Sequence, residues 1–169
     1  MLSPDRPRPV EPRRFDIHLA DERQTARLGA ALAPLLGPGD TVLLRGALGA
    51  GKSALARAVI GAALGDAAAE IPSPSYTLVN LYETARGPVW HADLYRLTGA
   101  AEELEELGLD DAMGAALVLV EWPERLGPAL PAHRLDIALT APQAGGRDAE
   151  ITLRGTGWDA VAGLLEAWR

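Results

Sequence analysis

The chain has 169 residues, 48% hydrophobic and 23% charged, which suits one globular domain with an adequate core. A net charge of −7 with no basic stripe argues against a sequence-independent grip on nucleic acid. The absence of cysteine excludes disulfides and thiolate metal sites, residues 1–14 lack an apolar core of signal-peptide length, and no stretch approaches transmembrane length without charges, so a soluble cytoplasmic protein is expected, with no membrane partner.

Residues 1–14, rich in proline and arginine, are expected to form a disordered tail, leaving 15–169 as the folded domain. Residues 15–19 alternate enough for a first strand. Asp21 can cap a helix running to about residue 36, with Leu28, Leu32, Leu35 and Leu36 on one face and Gly37-Pro38-Gly39 as its stop. Pro34 can end or kink that helix early, because it lacks an N–H and its ring crowds the preceding turn. Thr41-Val42-Leu43-Leu44-Arg45, apolar and partly β-branched, reads as a buried strand.

The next eight residues, Gly46-Ala47-Leu48-Gly49-Ala50-Gly51-Lys52-Ser53, fit G-x-x-x-x-G-K-[ST], the phosphate-binding P-loop. Of the sixteen Lys and Arg residues in the chain, Lys52 is the sole lysine. In such a loop the glycines let successive N–H groups turn inward as an anion nest, and the following helix adds its positive N-terminal end. A compact ammonium on a flexible stem reaches the β- and γ-phosphates, where a planar guanidinium would be bulky and misdirected. Ser53 offers a hydroxyl to Mg²⁺. Residues 54–64 read as a helix ended by Gly65, so strand, glycine-rich loop and helix stand in the order that gives the motif its meaning. A nucleoside triphosphate is the expected ligand.

Ile71-Pro72-Ser73-Pro74-Ser75 must be extended or turned, since each proline disfavours helix for the residue before it. Residues 76–83 and 89–95 look like two strands joined by a turn around Ala85-Arg86-Gly87-Pro88. Residues 101–108 read as a short acidic helix, 116–120 as a buried strand ending at Glu121, and 134–140 and 149–154 as a late pair of strands. Trp158, Val161, Leu165 and Trp168 recur at helical spacing and predict a packed C-terminal helix. The expected fold is α/β: a single P-loop NTPase domain whose mixed sheet has central parallel strands and added antiparallel ones.

Hydrolysis needs, besides the phosphate cradle, a metal partner and something to orient water. Glu121 follows five apolar residues, at the C-terminal end of a buried strand, where open α/β sheets bind ligands. An acid there can hold Mg²⁺ directly or through water. Asp93 is a further candidate: alternation puts His91, Asp93 and Tyr95 on one strand face, with Ala92 and Leu94 on the other. That polar face could equally be the solvated side of an antiparallel strand. Ser73-Pro74-Ser75-Tyr76-Thr77 is either an ordinary proline loop or a switch segment that senses the γ-phosphate.

Together these motifs resemble the TsaE (YjeE) family, small bacterial ATPases of tRNA threonylcarbamoyladenosine biosynthesis. The resemblance runs through the P-loop, Ser73-Pro74-Ser75-Tyr76-Thr77-Leu78-Val79, His91-Ala92-Asp93-Leu94-Tyr95-Arg96-Leu97, Glu102-Glu103-Leu104 with Leu107-Gly108, and Val120-Glu121-Trp122-Pro123-Glu124-Arg125-Leu126-Gly127. Order and spacing hold from about residue 15 to 154. The P-loop alone is common to many families, but its combination with the Asp-Leu-Tyr-Arg and Val-Glu-Trp-Pro segments is specific.

The resemblance implies hydrolysis of ATP with Mg²⁺, in concert with TsaD and TsaB, which install the threonylcarbamoyl group on adenosine 37 of tRNA. The tRNA itself is met only through the complex. Phosphates would lie against Gly46, Ala47, Leu48, Gly49, Ala50, Gly51 and Lys52, and the metal against Ser53 and Glu121. Asp93 is implied to be needed for activity, either ordering metal-bound water or positioning the attacking water. The switch segment maps onto Ser73 through Thr77, and Glu22 and Arg147 match family positions near the nucleotide. Ala47 stands where many members carry an acid or asparagine, and Ser75 where threonine is usual; neither change removes a cradle or a metal ligand. A nucleotide-dependent binding module with incidental hydrolysis would need the same residues. A small-molecule kinase shares the P-loop, but the chain has no arginine-rich lid segment after the strand ending at Glu121.

Overall fold

The structure, a computed structural model, describes residues 10–168, so residues 1–9 of the expected tail lie outside it. The first strand, β1 (Arg13–Leu19), starts before Phe15 because Arg13 and Arg14 already pair with Leu153 and Thr152. α1 (Glu22–Leu32) opens on Asp21, whose carboxylate accepts from the N–H of Gln24 at 2.9 Å and so satisfies one orphan donor of the helix start. At Pro34 the α-helix gives way to a three-ten turn, Ala33–Leu35, earlier than residue 36 as the proline ring dictates.

β2 (Thr41–Arg45) leads through the glycine-rich loop into α2 (Lys52–Leu64), which Gly65 closes in the left-handed conformation. β3 (Val79–Thr84) and β4 (Gly87–Asp93) form the expected hairpin. Its first strand begins later than residue 76, because Leu78 adopts a φ of +64° and its N–H closes a turn onto the Pro74 carbonyl at 2.7 Å. The acidic helix α3 (Ala101–Leu107) is followed at once by α4 (Leu109–Ala115), which the sequence pattern does not announce. Only Leu109 and Ala112 of α4 are buried, too few to make a visible stripe. β5 (Leu117–Glu121), β6 (Arg134–Thr140), β7 (Arg147–Arg154) and α5 (Asp159–Glu166) complete the chain.

The seven strands form one sheet in the order β1-β7-β6-β2-β5-β4-β3. β6, β2, β5 and β4 pair in parallel, while antiparallel pairing adds β7 and β1 on one side and β3 on the other. This is the mixed sheet expected of a P-loop domain. α1, α2 and α5 cover one face, burying Leu28, Leu32, Leu55, Ile60, Val161 and Leu165 against Val42, Leu44, Leu119 and Ile137. On the other face Leu97, Leu109, Ala112 and Leu126 cover Leu43, Ala92, Val118 and Val120. Each of these valine, leucine and isoleucine side chains contributes about 1.5–3 kcal/mol when fully buried.

Every residue of β5 is buried, which is why it reads as a continuous apolar run and not as an alternation. β4 lies inside the sheet, between β5 and β3, and His91, Ala92 and Asp93 are all buried. Its polar residues therefore do not form a solvated face. Among the described residues no helix is long and apolar enough to cross a membrane.

Candidate functional site

Parallel pairing sets the C-terminal ends of β2, β5 and β4 side by side, with Leu44 opposite Glu121 and Glu121 opposite Asp93. The chain leaving β2 turns through Gly46, Gly49 and Gly51 at φ values of +139°, +77° and +107°, which side chains rarely adopt. At Gly46 a Cβ would also collide with the carbonyl oxygen of Leu139, so the loop is pressed against β6 there. α2 begins directly at Lys52 with Gly51 as its cap and no side chain bonded to its first turn. Its leading N–H groups and the positive end of its dipole are thereby left to an anionic ligand.

Lys52 is only 5% exposed. Its Nζ donates to the carbonyl oxygens of Gly46 at 2.6 Å and Ala47 at 2.9 Å, and lies 4.2 Å from the ring centroid of Trp122. Burial lowers its pKa, an effect that the opposing charges of Glu121, Asp93 and Glu124 only partly offset. Trp122 reaches this position through a left-handed backbone, φ +58°, directly after β5, and packs 4.9 Å from Tyr95.

Ser53 Oγ donates to Glu121 Oε2 at 2.8 Å, and the other carboxylate oxygen, Oε1, lies 2.8 Å from His91 Nε2. Asp93 accepts from the Tyr95 N–H at 3.0 Å and from Ser75 Oγ at 3.3 Å, and the Ser75 hydroxyl is in turn 2.8 Å from that of Ser73. The proline loop is thus tied to the end of β4. Arg147, at the start of β7, donates to the Gly49 carbonyl at 3.2 Å and lies alongside Gly51.

These groups bound a cleft of about 520 Å³, within the size range of small-ligand sites. Of the residues marked from sequence, Glu22, Leu48, Gly49, Gly51, Lys52, Ser53, Asp93, Glu121 and Arg147 line it. Gly46, Ala47 and Ala50 belong to the loop but do not line the cleft. Ser73 reaches Asp93 only by way of Ser75, and Thr77 instead donates to Asn80 at 2.6 Å.

The cleft also takes in Arg57, which sequence reasoning misses. Its position four residues after Ser53 on α2 is the signal that finds it. The pairing of His91 with Glu121 is missed as well. Alternation puts His91 on the face of Asp93, but only the strand register brings it within reach of the neighbouring carboxylate.

Ser53 and Glu121 are hard oxygen donors. Among the described residues no group of three or more His, Cys, Asp or Glu could hold a metal ion unaided. Mg²⁺ needs no such cage, because it keeps several waters and takes one or two protein ligands plus phosphate oxygens. The donor set fits that ion.

The family described as "Threonylcarbamoyl adenosine biosynthesis protein TsaE" matches this chain over residues 19–149. The protein from Nostoc sp. described as tRNA threonylcarbamoyladenosine biosynthesis protein TsaE is 39% identical over 142 residues, covering 80% of this chain and 84% of its own length. The counterpart of the same description from Streptomyces coelicolor is 36% identical over 143 residues, covering 83% and 91%. Among solved structures, that of Bacillus subtilis YdiB superposes with a TM-score of 0.74 at 25% identity, covering 92% of this chain and 96% of that one.

Proposed function

Because this chain belongs to the TsaE family, we propose that it is the ATP-hydrolysing subunit of the machinery that makes N6-threonylcarbamoyladenosine at position 37 of tRNA, acting in the cytoplasm with TsaD and TsaB. The observation that carries this reading is the 2.8 Å contact between Ser53 and Glu121, at the point where the P-loop meets the end of β5. Two oxygens from separate elements converge there beside a lysine and a bare helix start, which is what a metal-bound triphosphate requires.

In this proposal the backbone from Gly46 to Gly51 cradles the phosphates, and Lys52 leaves the carbonyls of Gly46 and Ala47 to meet the β- and γ-phosphate charge. Ser53 and Glu121 hold Mg²⁺, which when bound neutralises charge on the phosphate oxygens. Asp93 orients water, Glu22 and Arg147 flank the nucleotide, and the segment from Ser73 to Thr77 responds to the γ-phosphate through Ser75. The tRNA is met through the complex.

The test is steady-state ATP hydrolysis with Mg²⁺, for the protein alone and with purified TsaD–TsaB. Marked stimulation by the pair is the expected result. The Ser73–Ser75–Asp93 chain of hydrogen bonds also favours a second reading, a nucleotide-dependent switch that shapes a docking surface. Tight ATP binding with no stimulated turnover would select that one.

A further inference from the structure

We propose that His91 is a positioning residue of this site: it donates from Nε2 to Glu121 Oε1 and so turns the single oxygen Oε2 toward Ser53 and a divalent cation. The inference rests on the Mg²⁺-dependent nucleotide chemistry proposed above and names a residue that acts on it without touching the ligand.

His91 has no exposed surface and Glu121 only 2%. Their contact of 2.8 Å is therefore made away from water. Residue 91 lies opposite Leu119 in the β4–β5 register, one pleat short of Glu121, and the inward residues flanking it, Val89 and Leu119, belong to the apolar core beneath α2. A leucine would fill such a position at no cost in desolvation, whereas a polar ring there must recover its lost hydration through a hydrogen bond. His91 makes that bond at one nitrogen only; Nδ1 has no partner among the described residues. A carboxylate has no hydrogen to give, so Nε2 is the donor.

With Oε1 held by the imidazole and Oε2 facing Ser53, the plane of the Glu121 carboxylate is set from both sides. A carboxylate so held offers a cation one oxygen, not a bidentate pair. Mg²⁺ demands near-ideal octahedral geometry, so the orientation of its few protein ligands weighs heavily. Loss of the group that orients a ligand typically costs 10–100-fold in metal affinity.

The experiment compares His91→Gln, His91→Asn and His91→Leu in the full chain. The amide nitrogen of glutamine reaches the place of Nε2; that of asparagine stops near Nδ1; leucine offers no donor. Binding of a fluorescent ATP analogue is measured in EDTA and across a Mg²⁺ titration. The Asn and Leu variants should raise the half-saturating Mg²⁺ about 10–100-fold, with metal-free nucleotide affinity within about twofold of wild type, while Gln stays near wild type. Wild-type Mg²⁺ dependence in all three overturns the inference, and so does a Gln variant as impaired as Asn, which would mean that the ring acts by packing.

If the wild-type protein binds nucleotide with no response to Mg²⁺, the parent reading fails and this one with it. A Mg²⁺ response in wild type that ignores His91 sinks the inference alone. Imidazole ¹⁵N spectra of the wild-type chain need no variant, since it has three histidines. His91 should show an exchange-protected Nε2–H that shifts more with Mg²⁺ plus nucleotide than with nucleotide alone; a freely exchanging proton there overturns the assignment.

Discussion

Asp136 on β6 and Glu121 on β5 stand on the two strands that flank β2, and the chain treats their charges in opposite ways. Asp136 Oδ2 accepts from Arg134 Nε at 3.0 Å and Arg154 Nε at 2.9 Å. Its Oδ1 makes no hydrogen bond, but Arg45 stands 3.7 Å away and adds charge. Glu121 is more deeply buried, yet its direct partners are a hydroxyl and an imidazole. The nearby ammonium of Lys52 gives its hydrogens to loop carbonyls. Holding a carboxylate out of water without a paired cation costs several kcal/mol. The chain sets arginines around Asp136, and among the described residues none pairs with Glu121. A carboxylate answered by arginines within the chain serves the fold; in the proposed function, one met by a hydroxyl and an imidazole serves a cation brought by a ligand.

The largest expected effect comes from removing the cation that the ligand would engage. Lys52→Ala should lower ATP turnover by about 10²–10³-fold or more, and binding of a fluorescent ATP analogue should fall with it. Lys52→Arg should recover little, because a planar fork cannot follow the ammonium into the loop. Turnover unchanged in Lys52→Ala would end the P-loop assignment.

The comparison itself is tested by neutralising each carboxylate. Glu121→Gln should lower turnover by about 100-fold while leaving stability unchanged or raised by about 1–2 kcal/mol, since a buried carboxylate with no arginine partner becomes a neutral amide. Asp136→Asn should do the reverse, costing about 1–3 kcal/mol by stranding its arginines while turnover per folded molecule stays within about twofold. Urea midpoints and turnover numbers for the two variants give the four values needed. If Glu121→Gln proved the more destabilising of the two, the distinction between the carboxylates would collapse.

Much of this contrast is legible in the sequence, but unevenly. The P-loop and Glu121 could be read because each is local: a glycine pattern in one case, an apolar run broken by an acid in the other. Asp93 could be read only in part. A two-residue period separates the faces of a strand but does not say whether the polar face meets solvent or a site. The embedding of β4 between β5 and β3 decides that, and it is a property of the sheet. The pairing of His91 with Glu121 and the left-handed turn that carries Trp122 over Lys52 likewise depend on register and on neighbours distant in sequence. α4 escapes notice for a different reason, because a helix that buries two residues leaves no periodic trace.

The smallest expected effect concerns the alkaline behaviour of Lys52. Burial outweighs the attraction of Glu121, Asp93 and Glu124, so its folded-state pKa lies below the ordinary lysine value of 10.5. Between the two values the unfolded chain binds more protons than the folded one, so this group's contribution to stability rises with pH through that window and is lost as pH falls through the folded pKa. Nucleotide reverses the balance, because phosphate oxygens favour the charged ammonium and draw its pKa back up. Urea midpoints of wild type relative to Lys52→Met should therefore climb with pH through the window below 10.5 when no nucleotide is present, and the climb should flatten when ATP is saturating. Nucleotide affinity should weaken over the same range, since deprotonation removes the charge that meets the phosphates. A climb that survives saturating ATP would mean that Lys52 stays with the carbonyls of Gly46 and Ala47 when phosphate is bound, and charge at this strand end would then be met by the metal ligands alone.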